Sequence, residues 1–168
     1  MKKEQIAPEA VAVEKNQATN VAAQNVIPSL VINITVDTQE LYNQPNSFPG
    51  SGVYMMDNNV SNGSTGEGTM ELSSMVCAGS LIGFNIVPID IAGSQGDTVQ
   101  IMGFEVSSGT NIFGIWGFPQ QQPAGSAYQW IGTAMTEGQS VYQIKIGVSY
   151  GGGGMKYFWW DAFLTCTA

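Results

Sequence analysis

The stretch "GVSYG", residues 147–151, matches G-x-S-x-G, a pattern that presents a serine as a nucleophile at a sharp turn. Ser149 would need a strand, a tight turn and a helix around it, and a histidine to accept its proton. The sequence has no His and no Arg, and a glycine run and an aromatic stretch follow Ser149. A strand running into a turn explains the motif, and Ser149 is not expected to act as a nucleophile. Without His there is also no imidazole base and no imidazole metal ligand.

Oxygen ligands are the next chemistry available. The loop "DNNVSNGSTGEG" (57–68) places Asp57, Asn59 and Ser61 at alternate positions, as a calcium loop does. An EF-hand wants Gly sixth and Glu twelfth, and here those positions hold Asn62 and Gly68. The trio is a candidate calcium loop set against a plain polar loop around an Asn62-Gly63 turn. The expected cofactor and metal complement is therefore none. Glu67 with Glu71, or Asp90 with Asp97, could flank a glycosidic bond, although nothing in the spacing selects either pair. Trp116, Trp130 and Trp159 are candidate ligand residues, since indole rings stack on sugars while Asn and Gln supply hydrogen bonds. Core packing competes for each of them, as it does for the eight methionines.

The composition excludes more than these motifs establish. Charged residues make up 11% of the chain, against roughly 25% in an ordinary soluble domain. The five cations are Lys2, Lys3, Lys15, Lys145 and Lys156, and nine carboxylates lie between Lys15 and Lys145 with no positive charge among them. Nucleic acid needs cations against its phosphates, and anionic membrane surfaces need them too, so neither is expected as a partner. The surface must instead be rich in Gly, Ser, Thr, Asn and Gln, which opposes close contact between protein copies only weakly. The net charge of −8 supplies the remaining repulsion. The start, "MKKEQIAPEAVAVEK", has two lysines but no apolar core, because Glu4, Glu9 and Glu14 interrupt it. No signal peptide and no membrane-spanning run are expected. Cys77 and Cys166 could pair, but two free thiols are the simpler reading.

These residues must be positioned by β-structure. Residues 1–27 read as a tail or assembly arm, with three lysines balanced by three glutamates and no aromatic residue. Residues 28–168 read as one domain, and the chain as a whole is 43% hydrophobic, enough to bury a core without a disulfide or metal. "LVINITVD" (30–37) alternates strictly, with Ile32, Ile34 and Val36 on one face. Strands are also expected at 52–57, at 98–106, at 110–118, at 128–135, at 140–150 and at the closing aromatic stretch, with two more within 74–91. Pro88 should lie at a sheet edge or a bulge. "TQELYNQ" (38–44) could form one helical turn, and "PQQQPAGSAYQ" reads as a loop. The glycines at 151–154 should close a hairpin between the last two strands. In the final strand Phe158, Trp160, Ala162 and Leu164 then share one face, and Tyr157, Trp159, Asp161 and Phe163 the other. Eight or nine strands about ten residues apart predict an all-β fold, a single antiparallel jelly-roll-like β-sandwich.

Several pieces in order along residues 31–165 resemble the AidA/PixA family of bacterial inclusion-body proteins. They are "VINITVDTQELY" (31–42), "VYMMDNN" (53–59), "MVCAGS" (75–80), "GDTVQIMGFEVS" (96–107) and "YFWWDAFLT" (157–165). Residues 119–139 match poorly, and Ala162 follows Trp160-Asp161 where that family's pattern has Pro. The resemblance implies a β-sandwich without established catalysis that accumulates in intracellular, cytoplasmic inclusions. The expected function is therefore a non-enzymatic, self-assembling structural protein whose partner is itself. The alternative is a lectin-like sandwich that binds glycans, with or without calcium.

Overall fold

The computed structural model describes residues 27–89, 96–115 and 117–168. It holds nine strands in chain order: β1 (Leu30–Val36), β2 (Val53–Asp57), β3 (Ser73–Cys77), β4 (Leu81–Pro88), β5 (Thr98–Gly109), β6 (Gln120–Gln121), β7 (Trp130–Thr133), β8 (Gly138–Ser149) and β9 (Lys156–Thr167). They form a five-stranded sheet in the order β2-β1-β4-β7-β6 and a four-stranded sheet in the order β3-β9-β8-β5. The two sheets face each other across one core.

The period-two pattern decides which side chains enter that core. Ile32, Ile34 and Val36 of β1 are buried, while Asn33 between them is exposed. From the other sheet Tyr142, Ile144, Ile146 and Val148 of β8 point inward, and so do Phe158, Trp160, Ala162 and Leu164 of β9. The hairpin of β8 and β9 forms as the glycine run predicts, with Val148 opposite Lys156 at its closed end. Between β1 and β2 lies the one-turn helix α1 (Thr38–Tyr42), capped by the Asp37 carboxylate, which accepts the Glu40 N–H at 2.8 Å.

Three expectations need correction or refinement. The sandwich is present, but its sheets are mixed, because β1 pairs with β4 and β3 with β9 in parallel. Two strands lie between β1 and β4 in the chain, one in each sheet, and that long connection lets β4 return in the same direction as β1. The described residues of the stretch 110–118 form no strand. The chain turns at Asn111–Gly114, where the Gly114 N–H donates to the Asn111 carbonyl and Gly114 has φ of 94°. The tight turn buries Ile112 and Phe113 and leaves Ile115 outside, so the apolar run finds its burial without pairing. Within the expected loop after it, Gln120–Gln121 forms the short strand β6.

Pro88 ends β4 beside β1, and its other side lies beyond the reach of β7, which pairs only as far as Phe84. The Gln129 side-chain amide takes the place of a strand there, bonding both the N–H and the carbonyl of Ile86 at 3.0 Å. Pro88 thus occupies a local sheet edge, where its missing N–H leaves no ladder bond unmade. The expected tail lies outside the described residues except for Ile27, which is exposed.

Candidate functional site

Ser149 is the last residue of β8, and its hydroxyl donates to the Gly153 carbonyl at 2.7 Å. The chain then turns through the glycines into β9. The strand-turn-helix of a nucleophile elbow is absent at this position, and the hydroxyl is committed to holding the hairpin turn.

Trp130 and Trp159 do not converge. Trp130 belongs to the five-stranded sheet and packs half-buried against Phe104, with ring centroids 5.5 Å apart. Trp159 points outward from the four-stranded sheet, and Trp116 lies outside the described residues. Trp130 is thus a core-flanking residue, and Trp159 is the one placed where a partner could reach it.

The outer face of the four-stranded sheet is the first of two candidate regions. Tyr157, Trp159, Asp161 and Phe163 project from β9, Gln143 and Lys145 from β8, and Met102 and Glu105 from β5. Tyr157 is 55% exposed, Met102 47% and Phe163 37%, a high share for large apolar side chains. A recess of about 480 Å³ lies between Met102, Lys145, Tyr157 and Trp159. A side chain at nearby Gly147 would press on the Met155 sulfur and make ordinary contact with that of Met102. Lys145 pairs with Glu105, and the Ser107 hydroxyl donates to Asp161 at 2.9 Å, so two of its acids already have partners. On the side away from β8, β9 has no strand neighbour along 156–162 among the described residues, since β3 pairs only from Phe163 onward. The Ser47 carbonyl instead accepts the Trp159 N–H at 3.0 Å, and Phe48 stands edge-on to the indole at 5.9 Å.

The second region is the loop 57–68 on the side of the sandwich. It spans the gap between the sheets: Met55 bridges Thr69 on one side and Thr65 bridges Ser73 on the other. That fold-back sets Asp57 against Glu67, whose carboxylate accepts the Asp57 N–H at 3.0 Å. Burial is the main force pushing the Glu67 carboxyl above the usual range, and the neighbouring Asp57 charge adds to it. Of the proposed calcium trio, Asp57 accepts the Asn59 N–H at 2.7 Å, and Asn59 gives its amide to the Met75 carbonyl, also at 2.7 Å. Ser61 is exposed. The geometry therefore brings together Asp57 and Glu67, a pair that spacing alone did not single out. Glu71, proposed as Glu67's catalytic companion, is exposed, and Asp90 lies outside the described residues. Asp97 accepts hydrogen bonds from the Thr38 hydroxyl at 2.6 Å and the Gly151 N–H at 2.7 Å.

Both cysteines are free. Val76 is the register partner of Cys166, so Cys77 is one residue out of step and turned to the opposite face. No described helix is long and apolar enough to cross a membrane.

The sequence profile of a family described as "Domain of unknown function (DUF8788)" matches residues 29–155. No curated protein matches the chain by sequence. Among solved structures the chain is similar to an inclusion body protein, PixA, from Burkholderia cenocepacia J2315. That match has a TM-score of 0.67 and 14% identity, and it covers 88% of this chain and 100% of the other. At this identity the likeness is one of fold, and it is the likeness the ordered motifs anticipated.

Proposed function

We propose that this chain, which belongs to the family described as Domain of unknown function (DUF8788), is a non-enzymatic structural protein that self-assembles and accumulates in inclusions. The observation that carries the reading is the shared fold with a protein named for inclusion bodies. The outer face of the four-stranded sheet supports it with a contact surface. Met102, Tyr157, Trp159 and Phe163 offer apolar area there, and the Lys145–Glu105 pair lowers the charge a second copy would have to bury. The domain as a whole is acidic, with two lysines and ten carboxylates in residues 28–168. A face of low net charge is where two such copies repel least.

Electron microscopy of the purified protein tests this. Ordered particles, filaments or crystals that dissolve on substituting Tyr157 and Trp159 by Ser support assembly through this face. A monodisperse monomer at high concentration between pH 4 and 8 overturns it.

The recess beside Trp159 also favours a second reading, a glycan site. An indole flanked by Gln143, Lys145 and Glu105 has the stacking surface and hydrogen-bonding groups that sugars require. Saturable binding on a glycan array, lost in Trp159→Ala, selects that reading; blank arrays leave assembly.

A further inference from the structure

The five-stranded sheet also has an outer face. Alternation turns Asn33 and Thr35 of β1, Tyr54 and Met56 of β2, and Asn85 and Val87 of β4 away from the core. The register sets them in two rows, Tyr54–Thr35–Val87 and Met56–Asn33–Asn85. Tyr54, Met56 and Val87 are exposed, and the Asn85 amide donates to Asn33 Oδ1 at 3.4 Å. No outward side chain of β1, β2, β4 or β7 is charged. In a chain with a net charge of −8, this face lacks the repulsion that keeps copies apart.

The chain joins the domain on this same face. Gly83 is the outward residue between Ile82 and Phe84 of β4. A side chain there would meet the Tyr128 ring at 2.8 Å and the Pro28 ring at 2.9 Å. Pro28 and Tyr128 therefore lie over Gly83 on the outer side of the sheet, and Pro28 is buried there. Ile27, one residue before it, is exposed. Residues 1–26 are thus tethered at the margin of the uncharged face.

Composition matches the nearest part of that segment to the face. All six charges of residues 1–27 fall within residues 2–15, and residues 16–27, "NQATNVAAQNVI", carry none. Laying such a strip on the sheet desolvates no charge. Extended, residues 16–26 span about 36 Å, whereas β2 lies two strand spacings from β4, about 10 Å. The strip reaches every row of the face, and its tether keeps it at high local concentration there.

We propose that residues 16–26 lie across the outer face of the five-stranded sheet of their own chain. Val21 and Val26 cover Tyr54, Met56 and Val87, while the Asn33 and Asn85 amides bond the backbone of the strip. The charged residues 2–15 then lie beyond the sheet, in water. The strip acts as a cover that shields one apolar face of the sandwich and leaves the opposite face for contacts. The cover holds within one chain, so it stands apart from the reading that copies self-assemble.

Methionine oxidation of the full-length protein tests it, read by mass spectrometry of the peptides. Met56 is 55% exposed and Met135, in the connection between β7 and β8, is 65% exposed, so an uncovered Met56 should oxidise about as fast as Met135. The cover predicts that Met56 oxidises several-fold more slowly than Met135, at every protein concentration. Val21→Asp with Val26→Asp, in the full chain, should bring Met56 up to the rate of Met135, because two charges now oppose docking. Val87→Asp should do the same from the side of the sheet, with circular dichroism confirming that each variant keeps its fold. The proposal is overturned if wild-type Met56 and Met135 oxidise alike, or if neither variant speeds Met56. It is also overturned if protection of Met56 is lost on dilution, since the cover then comes from a second copy.

Discussion

Trp159 and Trp160 are neighbours in the chain and occupy opposite worlds. Trp160 is 2% exposed, its indole N–H spent on the Met55 sulfur inside the core. Trp159 lies on the outer face beside Tyr157 and Phe163, touched by Phe48 and lining an open recess. The same strand thus supplies a stabilising face and a face free for partners. What separates the two is the sheet opposite: β1, β2 and β4 cover the inner aromatics, and among the described residues no second sheet covers the outer ones. An aromatic-rich strand is therefore neither a core signal nor a site signal until its two faces are told apart.

The contrast can be broken most forcefully at Trp160. Trp160→Ala should cost about 3–5 kcal/mol, since it removes a large buried ring and leaves a cavity. Urea unfolding followed by circular dichroism measures this, and a loss below about 1 kcal/mol would mean the inner face is not the stabilising one.

Thiol chemistry gives a second view of the same contrast. Cys166 lies inward on β9, and burial pushes its thiol up, while Cys77 is exposed on β3. The thiolate is the reactive form, so a raised value leaves less of it at any given pH. In native protein at pH 8 one thiol, Cys77, should be alkylated promptly, and Cys166 at least about tenfold more slowly. Mass spectrometry of the labelled peptides reads the ratio, and urea should bring both to equal rates. Equal labelling without urea would show that the end of β9 is open.

Smaller effects belong to the outer face. Trp159→Ala loses the edge-on contact with Phe48 and should cost about 0.5–1.5 kcal/mol. Gly147→Ala presses on the flexible end of Met155 and should shift stability by less than about 1 kcal/mol. Urea unfolding measures the shift.

Much of this arrangement is legible in the residues. Strict alternation in β1 and β8 and the glycines before β9 give the strands, the faces and the final hairpin, because a half-buried strand repeats every two residues. Two parallel pairings are not legible, since pairing partners far apart in sequence leave no local mark. Residues 110–118 mislead because "NIFGIWGF" has a strand's composition, yet a backbone turn at Gly114 serves its burial better. The Asp57–Glu67 pair is half legible. A chain folding back at Asn62-Gly63 must set residue 57 near residue 67, but only the loop's span between the sheets turns both acids inward. The tryptophans show the limit in the other direction: residue type made them candidates, and their faces separated them.

Whether the outer face of β9 drives self-association is tested most directly by light scattering of two proteins at matched concentration. One is the wild type, and the other carries Tyr157→Ser, Trp159→Ser and Phe163→Ser together. Circular dichroism confirms that both keep the β-sandwich. The wild type should form large particles, growing as the pH approaches the isoelectric point near 4.1, where the repulsion between acidic copies falls away. The triple variant should remain small over the same range. Equal particle sizes for the two proteins would contradict the assignment of this face as the assembly surface.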